Sequence, residues 1–390
     1  MGYSTAARQA RFVPVQRLIV ASVGWFYRHV GSHFFFLFDS EPIHDFFLDL
    51  GAVMARIPGL PALVRACFRV SHPALATNVA GIPFENPIGL AAGFDHEAQL
   101  PAIIGAIGFG FESVGTITNE PYGGNPYPRL KRLVRSRAIL VNKGFKSTGI
   151  DAILSRLDGA RWSVPIGISI GRTNSLAHET HADAIGDIVA AFKKALATEV
   201  AFSYVELNIS CPNLLKDISF YEPHRLEELL RAVCALPLGK PLFIKMPITL
   251  SDEALRALLD VILRFPVAAV IFGNLQHDRT HPAFDKKEIS AFAGVRGNWS
   301  GMPCQTRSDE LVRLAYRHAG DKLAIIGCGG IFGAEDAYRK IRLGASLVQL
   351  ATATIFEGPQ IASEINLALP RLLARDGFEN ISDAVGVDAR

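Results

Sequence analysis

The sequence predicts an α/β protein, a (β/α)₈ TIM barrel carrying a small N-terminal helical extension. Three observations predict it. From about residue 86, short and nearly continuous apolar runs alternate with segments of helical period, the pattern of a parallel sheet with helices between its strands. Eight such runs are present, and eight βα units close into a barrel. No GxGxxG follows the first run, which counts against an open, doubly wound sheet built around a dinucleotide.

Taken in order, the first forty residues are basic and aromatic. Arg8, Arg11, Arg17 and Arg28 precede the first acid, Asp39, and residues 18–23 and 34–38 are apolar, with Trp25, Phe26 and Tyr27 between them. Arg28, His29 and His33 interrupt that run, so an unbroken transmembrane span of about 20 residues does not fit. No convincing small-residue cleavage site marks a secretory signal. An amphipathic segment lying among lipid headgroups is preferred over a core helix packed on the barrel or a mitochondrial targeting stretch. Residues 42–56 and 60–70 then read as two small helices.

The strands are expected at 87–91, 113–116, 165–170, 204–208, 242–246, 269–273, 323–327 and 347–350. The clearest helices between them are 183–198, 225–236, 252–265, 308–319 and 334–343. An insertion, 119–146, separates the second and third strands; its Pro121, Gly123, Gly124, Pro126 and Pro128 make it a loop with room for a hairpin. Residues 376–390 are left as a C-terminal tail.

Function in such a barrel gathers at the C-terminal ends of the strands. After the first comes Ala91-Ala92-Gly93-Phe94-Asp95, small enough for a flat ligand to approach the backbone. Gly329 and Gly330 after the seventh strand, with the Thr352 hydroxyl after the eighth, have the form of a barrel phosphate site, although glycine at a βα turn is also common for steric reasons alone. Lys245 ends an apolar strand; burial there demands an anion or an electron-rich partner such as the edge of a reduced flavin, or else an internal salt bridge. Asn208, Cys211 and Asn213 form the sharpest cluster. Two carboxamides can clamp the amide edge of a planar substrate while a thiol, of ordinary pKa about 8.5, takes a proton if its surroundings favour the thiolate.

Bulk properties agree with a metabolic enzyme. Charged residues make up 20% and hydrophobic ones 49%, and the net charge of +3 gives no case for nucleic-acid binding. The five cysteines show no CxxC pair and no zinc spacing, the usage of free thiols in a reducing compartment, and no metal site is expected.

At these strand ends the chain resembles the dihydroorotate dehydrogenases, from about Pro42 to Ile365. The matching stretches include Asn86-Pro-Ile-Gly-Leu-Ala-Ala-Gly-Phe-Asp95, Gly124-Asn-Pro-Tyr-Pro-Arg-Leu130, Val141-Asn-Lys-Gly-Phe145, Glu206 through Asn213, and Ile326 through Ile331. The resemblance implies an FMN enzyme that oxidises a ring C–C bond. It sets Ala92, Gly93, Thr116, Asn142, Asn208, Lys245, Ser300, Gly301, Gly329, Gly330 and Thr352 around the flavin. Asn142, Asn208, Asn213, Asn274 and His96 would hold the substrate, Cys211 would be the base, and Phe145 would stand on a loop that closes over it. The extension, ending in Phe38-Asp-Ser-Glu-Pro-Ile-His-Asp-Phe46, resembles the quinone-linked, membrane-associated class, whereas cysteine as base is the pattern of the soluble classes.

That resemblance implies oxidation of dihydroorotate with quinone as acceptor, at the cytoplasmic face of a bacterial inner membrane or at a mitochondrial inner membrane. Residues 1–75 would be the membrane and quinone-access region and 76–375 the barrel. Some polar positions of the family are changed: its lysine after the Phe-Asp is His96, an asparagine after the third strand is Ser169, a threonine after the sixth is Leu275, and Tyr-Ser-Gly after the eighth is Ala351-Thr352-Ala353. The alternative these changes raise is a relative that dehydrogenates, or reduces at a C=C bond, a different and less anionic substrate, for instance in secondary metabolism.

Overall fold

The computed structural model describes residues 4–389, with side chains from Val15 onward, so the side chains of Arg8 and Arg11 lie outside the described residues. The strands are β1 (Thr77–Val79), β2 (Ile82–Phe84), β3 (Ile88–Leu90), β4 (Phe111–Ile117), β5 (Leu130–Leu133), β6 (Ala138–Val141), β7 (Ile166–Ile170), β8 (Tyr204–Asn208), β9 (Leu242–Met246), β10 (Val267–Phe272), β11 (Asn298–Gly301), β12 (Ala324–Cys328) and β13 (Leu347–Leu350). Eight of them close into a parallel barrel in the order β3-β4-β7-β8-β9-β10-β12-β13. β4, β7, β8 and β9 are buried along their whole length, which is why they read as unbroken apolar runs.

Aromatic side chains fill the lower barrel. Tyr204 and Phe243 stack at 4.4 Å inside it, and the antiparallel β1–β2 hairpin brings Phe84 edge-on to Phe111 at 5.2 Å, closing the end opposite the strand C-termini. Helices cover the outside. Helix His181–Leu196 starts two residues before its predicted position because Thr180 caps it through a reciprocal bond with Asp183. Ser251 caps Asp252–Ile262 at the predicted start.

The insertion is an ordered hairpin, β5–β6, extended by β11 into a three-stranded antiparallel sheet. That sheet pairs Ser300 with Ile139 and Gly301 with Ala138, so two predicted site residues from late in the chain reach the barrel mouth beside an early loop.

The extension consists of α1 (Ser4–Phe26), a π-turn Tyr27–Gly31, α2 (Ser32–Phe35), α3 (Ser40–Arg56) and α4 (Leu60–Phe68). Tyr27 Oη donates to Ile355 O at 2.8 Å and Arg28 pairs with Glu364, fastening the extension to the barrel, while Gln16 Nε2 donates to Arg69 O at 2.7 Å within the extension. Among the described residues no single helix is long and apolar enough to cross a membrane; α3 and α4 together have that composition but meet at a 112° bend. The last residues pack on the barrel, Gly386 N–H donating to Ile341 O at 3.1 Å and Arg342 bridging to Asp388 at 2.6 Å.

Candidate active site

A cavity of about 1050 Å³, counting the space at its mouth, lies at the C-terminal ends of the barrel strands. Every predicted site residue lines it except Asn142. Asn142 is buried, and its Oδ1 accepts from Asn125 Nδ2 at 3.0 Å in a polar cluster behind the wall. Val141, one residue earlier, takes the place on the wall. Asn142 directly follows the last residue of β6, and its side chain is bonded within that cluster rather than lining the cavity.

The polar side of the cavity is tightly organised. Asn208 Nδ2 donates to Thr116 Oγ1 at 2.6 Å, and Asn208 Oδ1 accepts from Ser210 N–H at 3.1 Å and Ser210 Oγ at 2.7 Å. Thr116 Oγ1 in turn lies 3.1 Å from Ser169 Oγ, which donates to Glu206 Oε1 at 2.8 Å. Asn213 Nδ2 donates to Val141 O at 2.9 Å while its Oδ1 accepts from Asn298 Nδ2 at 2.9 Å. Asn274 Nδ2 donates to Ser210 O at 2.7 Å. These bonds fix the carboxamides in place before a ligand arrives.

Cys211 lines both this cavity and a second one behind it, which Arg172 also lines. Burial pushes the thiol up to about 11, against the Asn213 backbone N–H and the charges of Arg172 and Lys245, which favour the thiolate. At neutral pH the resting group is a thiol. Desolvation outweighs the two cations, so the surroundings favour the thiolate only in part.

Lys245 is almost fully buried, and its Nζ donates to Ala92 O at 3.3 Å. Among the described residues it has no carboxylate partner, so the salt-bridge alternative is not what holds it. At the far end Thr352 Oγ1 donates to Ser300 Oγ at 2.9 Å. Gly329 and Gly330 both have positive φ, and a Cβ on Gly330 would stand 2.3 Å from Gln305 Cβ. Gly329 N–H turns toward the Cys328 sulfur and favours its thiolate, while Gly330 N–H has no backbone acceptor among the loop and turn bonds of the described residues, an arrangement suited to a phosphate. The donor set thus fits FMN: N–H groups at Gly329 and Gly330 for its phosphate, small residues at Ala92 and Gly93 for close approach, and the Lys245 ammonium, without a carboxylate partner among the described residues, for its ring.

Phe145 lines the cavity with φ +62°, a conformation that costs energy for an aromatic residue, and its ring packs where Gly171 leaves room. The sequence reading missed Val141, Lys143, Lys146 and Phe332, which also line the cavity. His96 lies in the wall with its Nδ1 buried and unpartnered; burial holds the ring neutral, far below the usual histidine range.

A second cavity, of about 1340 Å³ on the same measure, lies between α2–α4 and the barrel. Its wall is mostly apolar (Phe35, Ile43, Phe47, Met54, Phe68, Ile104 and others), with Tyr27, Ser40, His44, Arg132, Thr354 and Gln360 as its polar points. The segment between β3 and residue 96 separates the two spaces. Leu90 and Phe94 line the apolar one, and Ala91, Ala92, Gly93 and His96 the polar one. The rings of His44 and His96 face each other across it, 6.1 Å apart.

The sequence profile of the family described as "Dihydroorotate dehydrogenase" matches residues 74–373. A dihydroorotate dehydrogenase (quinone) of Anaeromyxobacter dehalogenans is 38% identical over 368 residues, covering 91% of this chain and 95% of that one. One of the same name from Natronomonas pharaonis is 37% identical, covering 90% and 97%. Among solved structures, the Eimeria tenella dihydroorotate dehydrogenase in complex with ferulenol superimposes with a TM-score of 0.79 at 29% identity, covering 90% of this chain and 96% of that one. Barrel, mouth cavity and sequence agree: the chain belongs to the dihydroorotate dehydrogenase family.

Proposed function

We propose that the protein oxidises dihydroorotate to orotate with FMN as its bound redox group and passes the electrons to a quinone. The observation that carries this reading is the pair of cavities, one polar and one apolar, sharing the thin wall from Leu90 to His96. FMN, when bound, supplies an acceptor for the hydride leaving the saturated ring and a donor for the quinone. The N–H groups of Gly329 and Gly330 with the Thr352 hydroxyl would hold its phosphate, and Lys245 would stabilise negative charge on its ring.

The chain's own part in the oxidation is positioning and proton removal. Asn208, Asn213 and Asn274 would hold the substrate's amide edge, their orientations set by the bonds to Thr116, Asn298 and Ser210. Cys211 would take the proton from the carbon beside the one that loses hydride. Arg172 and Lys245 favour the thiolate that this step requires.

Apolar side chains crowd the outside of the extension: Leu18, Trp25, Phe26, Phe34, Leu37, Phe38 and Leu63 are all exposed. They support an interfacial seat for residues 1–75, at the cytoplasmic face of an inner membrane, from which a lipid-dissolved quinone enters the apolar cavity. Residues 76–375 would then be the catalytic barrel and 376–390 a C-terminal segment packed on it.

The deciding experiment mixes the yellow holoenzyme anaerobically with dihydroorotate and follows flavin absorbance. Rapid bleaching, reversed by a short-chain quinone, is expected. No bleaching, with dithionite still reducing the flavin, would favour a second reading, a less polar substrate of the same reaction class. Val141 and Leu275, both apolar on the cavity wall, are the observations behind that second reading.

A further inference from the structure

Lys143 is the one lysine of the polar cavity whose Nζ is buried with no hydrogen-bond partner among the described residues. Its side chain is only 8% exposed. An ammonium in that position is costly unless an anion answers it. The carboxylates whose fields reach it are Asp45 and Glu41, and both are engaged elsewhere. Glu41 lies 3.2 Å from Arg129 Nε and 3.4 Å from Lys146 Nζ, and Asp45 lies 3.5 Å from His44 Nδ1. Lys146 and Arg129 add positive charge to the same corner.

His96 shares this part of the wall. Its Nδ1 is also buried without a partner, and Lys143 is the charge that most strongly opposes its protonation. A neutral imidazole can donate one hydrogen bond, and an ammonium three. The two side chains thus form a donor-rich corner, and neither Lys143 Nζ nor His96 Nδ1 has a hydrogen-bond partner among the described residues. The carboxamides of Asn208, Asn213 and Asn274 stand elsewhere on the same cavity wall and suit the amide edge of a ring.

We propose that Lys143, with His96 beside it, is the seat for the substrate's carboxylate and so fixes which way round the substrate lies against Cys211. The inference rests on the function proposed above. It assigns the role to a side chain from the loop after β6, on the opposite side of Gly144 from Phe145. Anion binding there would neutralise the corner's excess charge and complete the hydrogen bonding of both groups.

The test is ligand binding to the oxidised holoenzyme, read as perturbation of the flavin spectrum, in wild type, Lys143→Met and Lys143→Arg. The probes are orotate, uracil (the same ring without the carboxylate) and acetate. Wild type is expected to bind orotate far more tightly than uracil. Lys143→Met should weaken orotate on the order of 10- to 100-fold, leave uracil unchanged and abolish the acetate effect, with FMN content equal to wild type. Lys143→Arg should restore part of the loss. If Lys143→Met keeps the full preference for orotate over uracil, the seat is elsewhere and the proposed function stands. If wild type ignores orotate but acetate perturbs the flavin in a Lys143-dependent way, the seat stands and the substrate is a different carboxylate. If neither anion perturbs wild type, the seat is overturned.

Discussion

Arg28 and Glu364 meet fork to fork, Nη1 to Oε2 at 2.9 Å and Nη2 to Oε1 at 3.0 Å, across 336 residues of sequence. The pair joins the π-turn of the extension to the helix Ile361–Arg375 on the barrel. Glu364 and Glu357 both raise the Arg28 guanidinium above its ordinary value. Both partners are partly exposed, so the pair is worth about 1 kcal/mol rather than the larger figure of a buried one. A double-mutant cycle with Arg28→Ala and Glu364→Ala in denaturant melts should return a coupling of that size. Coupling indistinguishable from zero would mean that the extension is held by its apolar contacts alone.

Cys211→Ala should reduce substrate-driven bleaching of the flavin by roughly 100- to 10,000-fold while FMN stays bound. In the wild type the bleaching rate should rise with pH through the neutral range, because a thiol held up at about 11 gains thiolate as pH rises toward that value. A rate flat from pH 6 to 9 would remove Cys211 from the role of base.

Filling the apolar cavity should separate the two half-reactions. Met54 lines it, and Met54→Trp places an indole in the space between α3 and the barrel. Quinone-dependent turnover should fall at least ~10-fold, and anaerobic bleaching by dihydroorotate should be unchanged. Equal losses in both steps would mean that the acceptor uses the polar cavity.

Orotate affinity should weaken as pH rises past about 8. Burial lowers Lys143 to about 8, with Asp45 and Glu41 raising it and Lys146 and Arg129 lowering it further. The protonated form binds the anion, so affinity is full below that value and is lost above it. His96 stays neutral across the window and adds no titration of its own. Isothermal titration from pH 6.5 to 9.5 with wild type and Lys143→Met checks this, the variant being expected to show no such fall.

How far these features could be read from sequence differs from one to the next. β8 and β9 run over the predicted residues because a strand buried on both faces leaves an unbroken apolar run with polar stops at Asn208 and Lys245. The motif around Asn142 names a residue without fixing where its side chain turns, and only the fold shows it bonded to Asn125. Lys143 was invisible as a buried cation, since a lysine in a Gly-containing loop reads as solvated until the surrounding chain is placed over it. The apolar cavity could not be foreseen in outline, because its wall joins Phe35 and Met54 to Ile104, Ile139 and Ile355, which only the fold brings together.

The thin partition from Leu90 to His96 has a consequence for how this enzyme can diversify. The residues that would select the acceptor come from α2–α4 and the barrel surface facing them, and those that would select the substrate come from the strand ends and barrel loops. A lineage can therefore exchange one ligand for another on either side while inheriting the other side intact. Only the partition itself must satisfy both, so substitutions within those seven residues should be the ones for which two selective histories leave a single record.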